Sequence, residues 1–367
     1  MKTASRLHLV LCIAAAAVIW SLAAVAFAAD PAGGIAPYHA RFGRDKPVVI
    51  VVGHNAGTEL FDFVVPYGIL ARSGAADVRA LGLEPGPLKM RPAVVIEPQA
   101  SVDAFDQQMP QGADYVIVPA VAVDKIDDRQ LIQWLQSQAS KGATIVSICD
   151  GALVVAHAGL FKGHRATGHW ATQAMRERDF ADTQWLTNVR YVDDGAVVSA
   201  AGVSAAVPVS LALVEAIAGR ARAAELAQQL GVARWTADHD SERFHMGFTD
   251  YVTAGRNGLL SSHDDIELPI AEGIDELTLA IVADAFGRTF RSRPYTSAPT
   301  TDPLHTRGGL VVRPDRAIDA QQAPPHKTLS LPNMPLAQAL DDALAQIDRL
   351  YGRATGNFVS LQWEYAR

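Results

Sequence analysis

Cys149 is the residue in this sequence best placed to do chemistry. It follows the apolar run 143–148 and precedes Asp150, Gly151 and a helical pattern over 152–158. A side chain between a buried strand and the start of a helix projects beyond the carboxyl edge of a parallel sheet, where open α/β folds bind ligands. Gly151 permits the tight turn. The helix N-terminus adds unpaired N–H groups and partial positive charge, which favour thiolate over thiol and hence nucleophilicity. The competing reading is an inert cysteine packed at the end of a strand. Of the two cysteines, Cys12 lies in the N-terminal apolar segment, so Cys149 stands alone in the body and no intramolecular disulfide forms there. His54, beside Asn55 after the first apolar run, falls at the same sheet edge and is either a pocket-lining group or a solvated loop histidine.

The elements that must position these groups alternate as a parallel sheet demands. Short β-branched runs predict strands over 48–52, 78–81, 94–97, 115–118 and 143–148. An amphipathic helix is expected over 60–73, stopped by Gly74, and another over 130–140. A hairpin follows at 189–192 and 196–200 around Asp193-Asp194-Gly195, then Ala-rich helices over 203–219 and 222–230. The fold class is α/β: a flavodoxin-like three-layer sandwich with a mostly parallel sheet and a cysteine elbow, plus a smaller C-terminal α/β half-domain. Four segments result: 1–29, a linker at 30–45, the main domain at 46–230, and an extension at 231–367. In the extension, Gly273-Ile274-Asp275-Glu276-Leu277 echoes Gly57-Thr58-Glu59-Leu60, and Leu310-Val311-Val312-Arg313-Pro314 echoes Val94-Val95-Ile96-Glu97-Pro98. Either these mark a half-copy of the first domain's front end, or they are chance similarities between short α/β units. Such a copy has no cysteine and would support or cover the site.

Composition narrows the function classes. The 367 residues are 49% hydrophobic and 19% charged, which fits a packed fold rather than a disordered chain. The net charge of −7 comes without a basic stripe, which excludes a phosphate-backbone footprint and disfavours nucleic acid as a partner. Lys2 and Arg6 precede an uncharged run over 9–29 that ends in Ala26-Phe27-Ala28, the pattern of an export signal or of an uncleaved membrane anchor. The body is expected outside the cytoplasm, periplasmic or membrane-anchored. The cluster His239, Asp240, Glu242, His245, Asp250, His263 and Asp264 matches no zinc spacing, so no metal is assigned. A nucleophile-elbow serine, a P-loop and a dinucleotide fingerprint are missing, and no cofactor is expected.

Several stretches carry a resemblance. Ser147-Ile148-Cys149-Asp150-Gly151-Ala152-Leu153, the run from Ala158-Gly159-Leu160 through Gly163-His164-Arg165-Ala166-Thr167 to His169-Trp170, and Ser199-Ala200-Ala201-Gly202-Val203-Ser204-Ala205 resemble the ThiJ/PfpI family of the class I glutamine amidotransferase-like superfamily. The likeness spans about 46–230 and is strongest to the isonitrile hydratase and AraC-type regulator branch. It implies that Asp62, on the first helix, reaches the cysteine as its proton partner, and that His169 lies near it as base or orienting group. Gly151, Ala120 and Val121 would line the substrate pocket. The sequence departs from the family twice. Asp150 stands where hydratases place threonine; its N–H can still serve an oxyanion hole, but its carboxylate disfavours a neighbouring thiolate. Pro119-Ala120-Val121 stands where Pro-Gly-Gly is usual, which alters the second oxyanion donor. The resemblance implies a cysteine-dependent hydratase or hydrolase acting on a small C–N substrate, or a noncatalytic small-molecule-sensing module, or a stress-protection protein. A homodimer is its expected assembly.

Overall fold

The computed structural model describes residues 34–318, 327–331 and 333–367. The expected export or anchor segment lies outside them, as does part of the Pro-rich stretch before the last helices. Among the described residues no helix is long and apolar enough to cross a membrane.

Strand β1 (Val48–Gly53) is β-branched and buried along its whole length, as a central parallel strand covered on both faces should be. Helix α1 (Leu60–Ser73) follows. Its N-cap Glu59 accepts from the Asp62 N–H through the side chain, and Gly74 ends it in the left-handed conformation at φ 65°. Next come β2 (Asp77–Gly82), β3 (Leu88–Arg91), β4 (Val95–Glu97), β5 (Ala100–Ser101), α2 (Val102–Gln108), β6 (Tyr115–Val118), α3 (Arg129–Ser140), β7 (Thr144–Ser147) and α4 (Gly151–His157). After α5 (Gln173–Asp179), the hairpin β8 (Tyr191–Asp193) and β9 (Val197–Ala200) leads to α6 (Ala206–Ala218) and α7 (Arg220–Leu230). The seven strands run β8-β9-β7-β6-β1-β2-β5, parallel throughout except for the hairpin. This is a flavodoxin-like α/β sheet with helices on both faces.

The strand expected at 94–97 forms but leaves this sheet. β4 pairs antiparallel with β3 and, on its other side, with a strand from the C-terminal extension. The extension contains α8 (Phe248–Gly255), β10 (Asp264–Pro269), α9 (Glu276–Gly287), β11 (Ser292–Ala298), β12 (Leu304–His305), β13 (Val311–Arg313), β14 (Arg316–Ala317), β15 (Lys327–Thr328), α10 (Leu336–Tyr351) and α11 (Arg353–Trp363). Its own sheet, β14-β11-β10-β15, is parallel.

Helix α1 is not amphipathic in the fold. Every residue from Leu60 to Leu70 is buried, because α6 packs on one side of it and α9 on the other. The helices α1 and α9 meet closely at Gly68, where an added Cβ would lie 2.8 Å from the Leu277 side chain. Trp363, fully buried, tilts against Phe61 with centroids 5.8 Å apart, and so ties the C-terminus to the start of α1. Burial of an aromatic this size is worth ~3 kcal/mol.

Candidate functional site: a buried cysteine elbow

Cys149 sits between β7 and α4 with φ at 55°, a left-handed conformation that costs a non-glycine residue about 1–2 kcal/mol. The turn is held by the Cys149 N–H donating to Ala201 O at 3.0 Å and the Gly151 N–H donating to Ile148 O at 2.8 Å. Glycine at 151 is required by close approach: a Cβ there would lie 2.0 Å from the Val118 carbonyl oxygen. The packing of β6 against the elbow therefore fixes both the turn and the direction of the thiol.

The sulfur faces carboxyl groups. Asp62 is fully buried; its Oδ2 accepts from the Ala120 N–H at 3.2 Å, while Oδ1 has no hydrogen-bond partner among the described residues. Burial raises the Asp62 carboxyl to about 7, against the Ala120 N–H and the Arg288 charge, which pull it down. Glu59 is pushed well above the ordinary carboxylate range by burial and then by Asp62 and Asp284, with Arg288 opposing. The Cys149 thiol also moves up, by burial first and then by the charges of Asp62, Asp150 and Glu59, while the Arg288 charge pulls it down. This corrects the expectation of a thiolate favoured by the helix N-terminus. A helix end contributes about 0.3–1 kcal/mol, whereas full burial moves a group by several pH units.

Asp150 does disfavour the thiolate, as its side chain suggests, and its Oδ1 accepts from the Thr172 hydroxyl at 2.6 Å. Asp150→Asn keeps that acceptor and removes the charge. The expected result is alkylation of Cys149 that reaches half its limiting rate at lower pH than in the parent chain. An unchanged midpoint in a rate-versus-pH titration would show that the carboxylate is screened from the sulfur.

His169 lies close by: one ligand-type atom each from Cys149, Asp150 and His169 fall within 4.8 Å of one another. Both of its ring nitrogens are nevertheless engaged with backbone. Nε2 pairs with Gln362 O at 3.1 Å and Nδ1 accepts from the Ala171 N–H at 3.2 Å. Asp150 is likewise committed, to the Thr172 hydroxyl, so two of the three groups are held by hydrogen bonds within the protein. The ring is positioned to orient this wall of the site.

Ala120 and Val121 line a cavity of about 340 Å³ whose other walls include Glu59, Arg91, Arg288 and Gln362. The Ala120 N–H is committed to Asp62, so the substitution of the usual glycines coincides with a donor that holds the carboxyl. His54 points elsewhere. Its Nδ1 accepts from the Ala56 N–H at 3.1 Å and its Nε2 lies 3.5 Å from Asp128; neither it nor Gly151, Asp62 or Cys149 is part of this cavity's lining.

Four charged residues escape sequence reasoning. Arg288, after α9, bonds Asp284 at 2.6 Å and also Glu59. Arg176 is buried beneath the elbow, with Nη1 donating to His169 O at 2.6 Å, and burial holds its guanidinium below the ordinary arginine range. Glu364, past the end of α11, pairs with His239 at 2.7 Å while its backbone oxygen accepts from the Ser204 hydroxyl at 2.8 Å. The end of α11 is thus bonded to the segments carrying His169, Trp170 and Ser204, and Cys149 is left 5% exposed. A charged residue recurring on an otherwise apolar helix face, as Asp284 and Arg288 do, is the available sequence signal.

Fold and elbow together define a flavodoxin-like α/β protein with a strained thiol at the rim of its sheet. Residues 46–216 match the DJ-1/PfpI family. The chain carries a DJ-1/PfpI family domain. Among curated relatives, the isonitrile hydratase of Pseudomonas putida is 28% identical over 162 residues, 43% of this chain and 67% of that protein. The HTH-type transcriptional regulator CdhR of Pseudomonas aeruginosa is 32% identical over 129 residues, 34% of this chain and 37% of the regulator. This chain therefore spans little more than a third of the regulator's length. Among solved structures, Drosophila melanogaster DJ-1beta aligns with a TM-score of 0.46 at 24% identity, covering 52% of this chain and 100% of that one.

Proposed function

We propose that the chain is a cysteine-dependent hydratase or hydrolase acting on a small C–N electrophile, with Cys149 as nucleophile and Asp62 as its proton partner. The observation that carries this reading is the buried Asp62 carboxyl, raised to about 7 with one oxygen unpartnered, facing a thiol in a strained elbow. For an isonitrile, sulfur adds to the terminal carbon as the thiol proton passes to Asp62 and from there to that carbon, giving a thioimidate. Water then adds to the same carbon, the nitrogen takes a proton, and the C–S bond breaks. A formamide leaves and the thiol is restored, so the net change is addition of one water. For an amide, sulfur adds to the carbonyl carbon, the nitrogen takes the thiol proton and the C–N bond breaks to release the amine and leave a thioester; water then adds to that carbon and the C–S bond breaks, giving a carboxylic acid and the restored thiol. The N-terminal segment supports an exported location, and a small molecule is the partner in either reading.

A second reading is favoured by one observation: the thiol is 5% exposed and pushed up by burial, as suits a ligand-sensing domain without turnover. Assay of the full chain against alkyl isonitriles and simple amides separates the two. Turnover that disappears in Cys149→Ala supports the enzyme. Saturable binding of such compounds to the parent chain and to Cys149→Ala alike, with no product, supports the sensor.

A further inference from the structure

The extension repeats the first domain at a constant spacing. Arg313 and Glu97, 216 positions apart, bond each other at 2.7 Å. The same spacing takes β1 to β10, α1 to α9, β3 to β12, β4 to β13 and β5 to β14. It also preserves pairing: Leu88 pairs with Ile96 as Leu304 pairs with Val312, and Gly82 with Ser101 as Ala298 with Ala317. The bridge Ile274 to Thr306 repeats Thr58 to Met90. Strand order β14-β11-β10-β15 reproduces β5-β2-β1-β6 and stops before the strand that carries the elbow. The helical ends match as well: Gly219 (φ 83°, ψ 162°) and Gly352 (φ 87°, ψ 154°) each precede a helix of 11 residues, α7 and α11.

The two copies are related by a pseudo-twofold axis. In the antiparallel pair β4/β13, Ile96 opposes Val312, its own counterpart, while Glu97 opposes Val311 and Val95 opposes Arg313. Around that axis, α1 packs on α9, and two ion pairs cross it symmetrically. Arg72, at the end of α1, bonds the N-cap Asp275 of α9 at 2.7 Å. Its counterpart Arg288 bonds Glu59, the N-cap of α1. Among the described residues, only the Arg288 end faces a cysteine. The counterpart at the Arg72 end is a cavity of about 460 Å³ lined by Arg72, Asp275, Thr278 and Arg307.

We propose that the extension is a built-in partner subunit: a second copy shortened past its nucleophile strand, which closes the twofold face of the first domain within one chain and positions the Glu59 and Asp62 carboxyls through Arg288. The homodimer contact expected from the sequence is then satisfied internally. Arg288 is a positioning residue. Cys149 is faced by Glu59 and Asp62 from the start of α1, by Asp150 on its own elbow, and by Arg288 at the C-cap of α9, which is itself bonded to Asp284. From the segment before and within α5 come His169 and Arg176. Arg288 is the cation of this set bonded directly to the carboxyl group that caps α1.

The test uses the full chain and does not depend on turnover, so it stands or falls separately from the enzymatic reading. Light scattering across a concentration series should give the mass of one chain. A two-chain particle that Arg72→Met or Arg288→Met splits would overturn the proposal, because the symmetric pairs would then join different chains. In the same variants, iodoacetamide labelling is followed against pH on the peptide containing Cys149. Both substitutions should lower thermal stability to a similar extent, but Arg288→Met alone should move the labelling midpoint upward, with labelling about tenfold slower at fixed mildly alkaline pH, equivalent to about one pH unit. Equal shifts in the two variants, or none in either, would overturn it. Arg288→Lys keeps the cation but not the fork that spans Glu59 and Asp284, and provides a gentler variant. It should shift the midpoint in the same direction by less, and a normally folded Arg288→Lys chain with no shift overturns the proposal as well.

Discussion

Cys149→Ala is expected to abolish turnover, with kcat falling at least ~10³-fold, because no other side chain at the elbow can form the covalent intermediate. The same position should also report stored strain. A left-handed backbone penalises any side chain with a Cβ, and glycine escapes that penalty. Cys149→Gly should therefore be at least as stable as Cys149→Ala in a urea titration, by up to about 1 kcal/mol, although glycine normally loses to alanine through its larger unfolded-state entropy. If alanine is the more stable by the usual margin, the elbow is unstrained and its geometry carries no functional cost.

Asp62→Asn is expected to lower turnover by about 10²- to 10⁴-fold, the range for removing a general acid–base group. Asparagine retains an oxygen to accept the Ala120 N–H, so the contact that holds the side chain survives. The parent pH–rate profile should show a limb near the Asp62 value of about 7, and the variant should lose it. Stability moves in a defined direction as well. The folded-state value lies above the unfolded one, so between roughly pH 4 and 7 the folded chain holds a proton that the unfolded chain has released. Asp62 therefore withdraws stability as pH rises through that window, and above it a buried carboxylate is a standing cost. The neutral amide of Asp62→Asn carries no such cost, so the variant should gain on the parent between mildly acidic and mildly alkaline pH. A variant that instead loses ground to the parent as pH rises would mean that the carboxylate is ionised and satisfied in the fold.

The parts of this site legible in the sequence were those set by neighbours along the chain. A β-branched run, Cys149, Gly151 and an apolar helix describe a strand, an elbow and a close turn with no need of distant residues. Asp62 was legible only through resemblance, since local chemistry cannot say what a first-turn carboxyl will face. Long-range packing supplied the rest. Arg176, Arg288 and Glu364 come to the elbow from separate segments, and burial at the elbow reversed the direction in which the helix end alone moves the thiol. Helix α1 read as amphipathic because Leu60, Val64, Ile69 and Leu70 fall close to helical spacing; its other face is apolar too, and α9 covers it. The echo of Gly57-Thr58-Glu59-Leu60 in Gly273-Ile274-Asp275-Glu276-Leu277 was visible because an acid at the N-cap and an apolar residue just inside are what a helix start needs. The twofold relation was not visible, because a register between strands β4 and β13 leaves no trace in either strand's own composition.

Covalent attachment of the two copies changes how the cysteine site responds to dilution. Two separate chains hold each other according to their concentration, and a contact of modest affinity empties as the protein becomes scarce. Tethered copies meet at an effective concentration in the millimolar range for short flexible linkers, whatever the amount of protein present. A protein built this way keeps Arg288 against Glu59 even as a few isolated molecules, which suits a compartment where copy number is low and encounters with a sibling chain are rare.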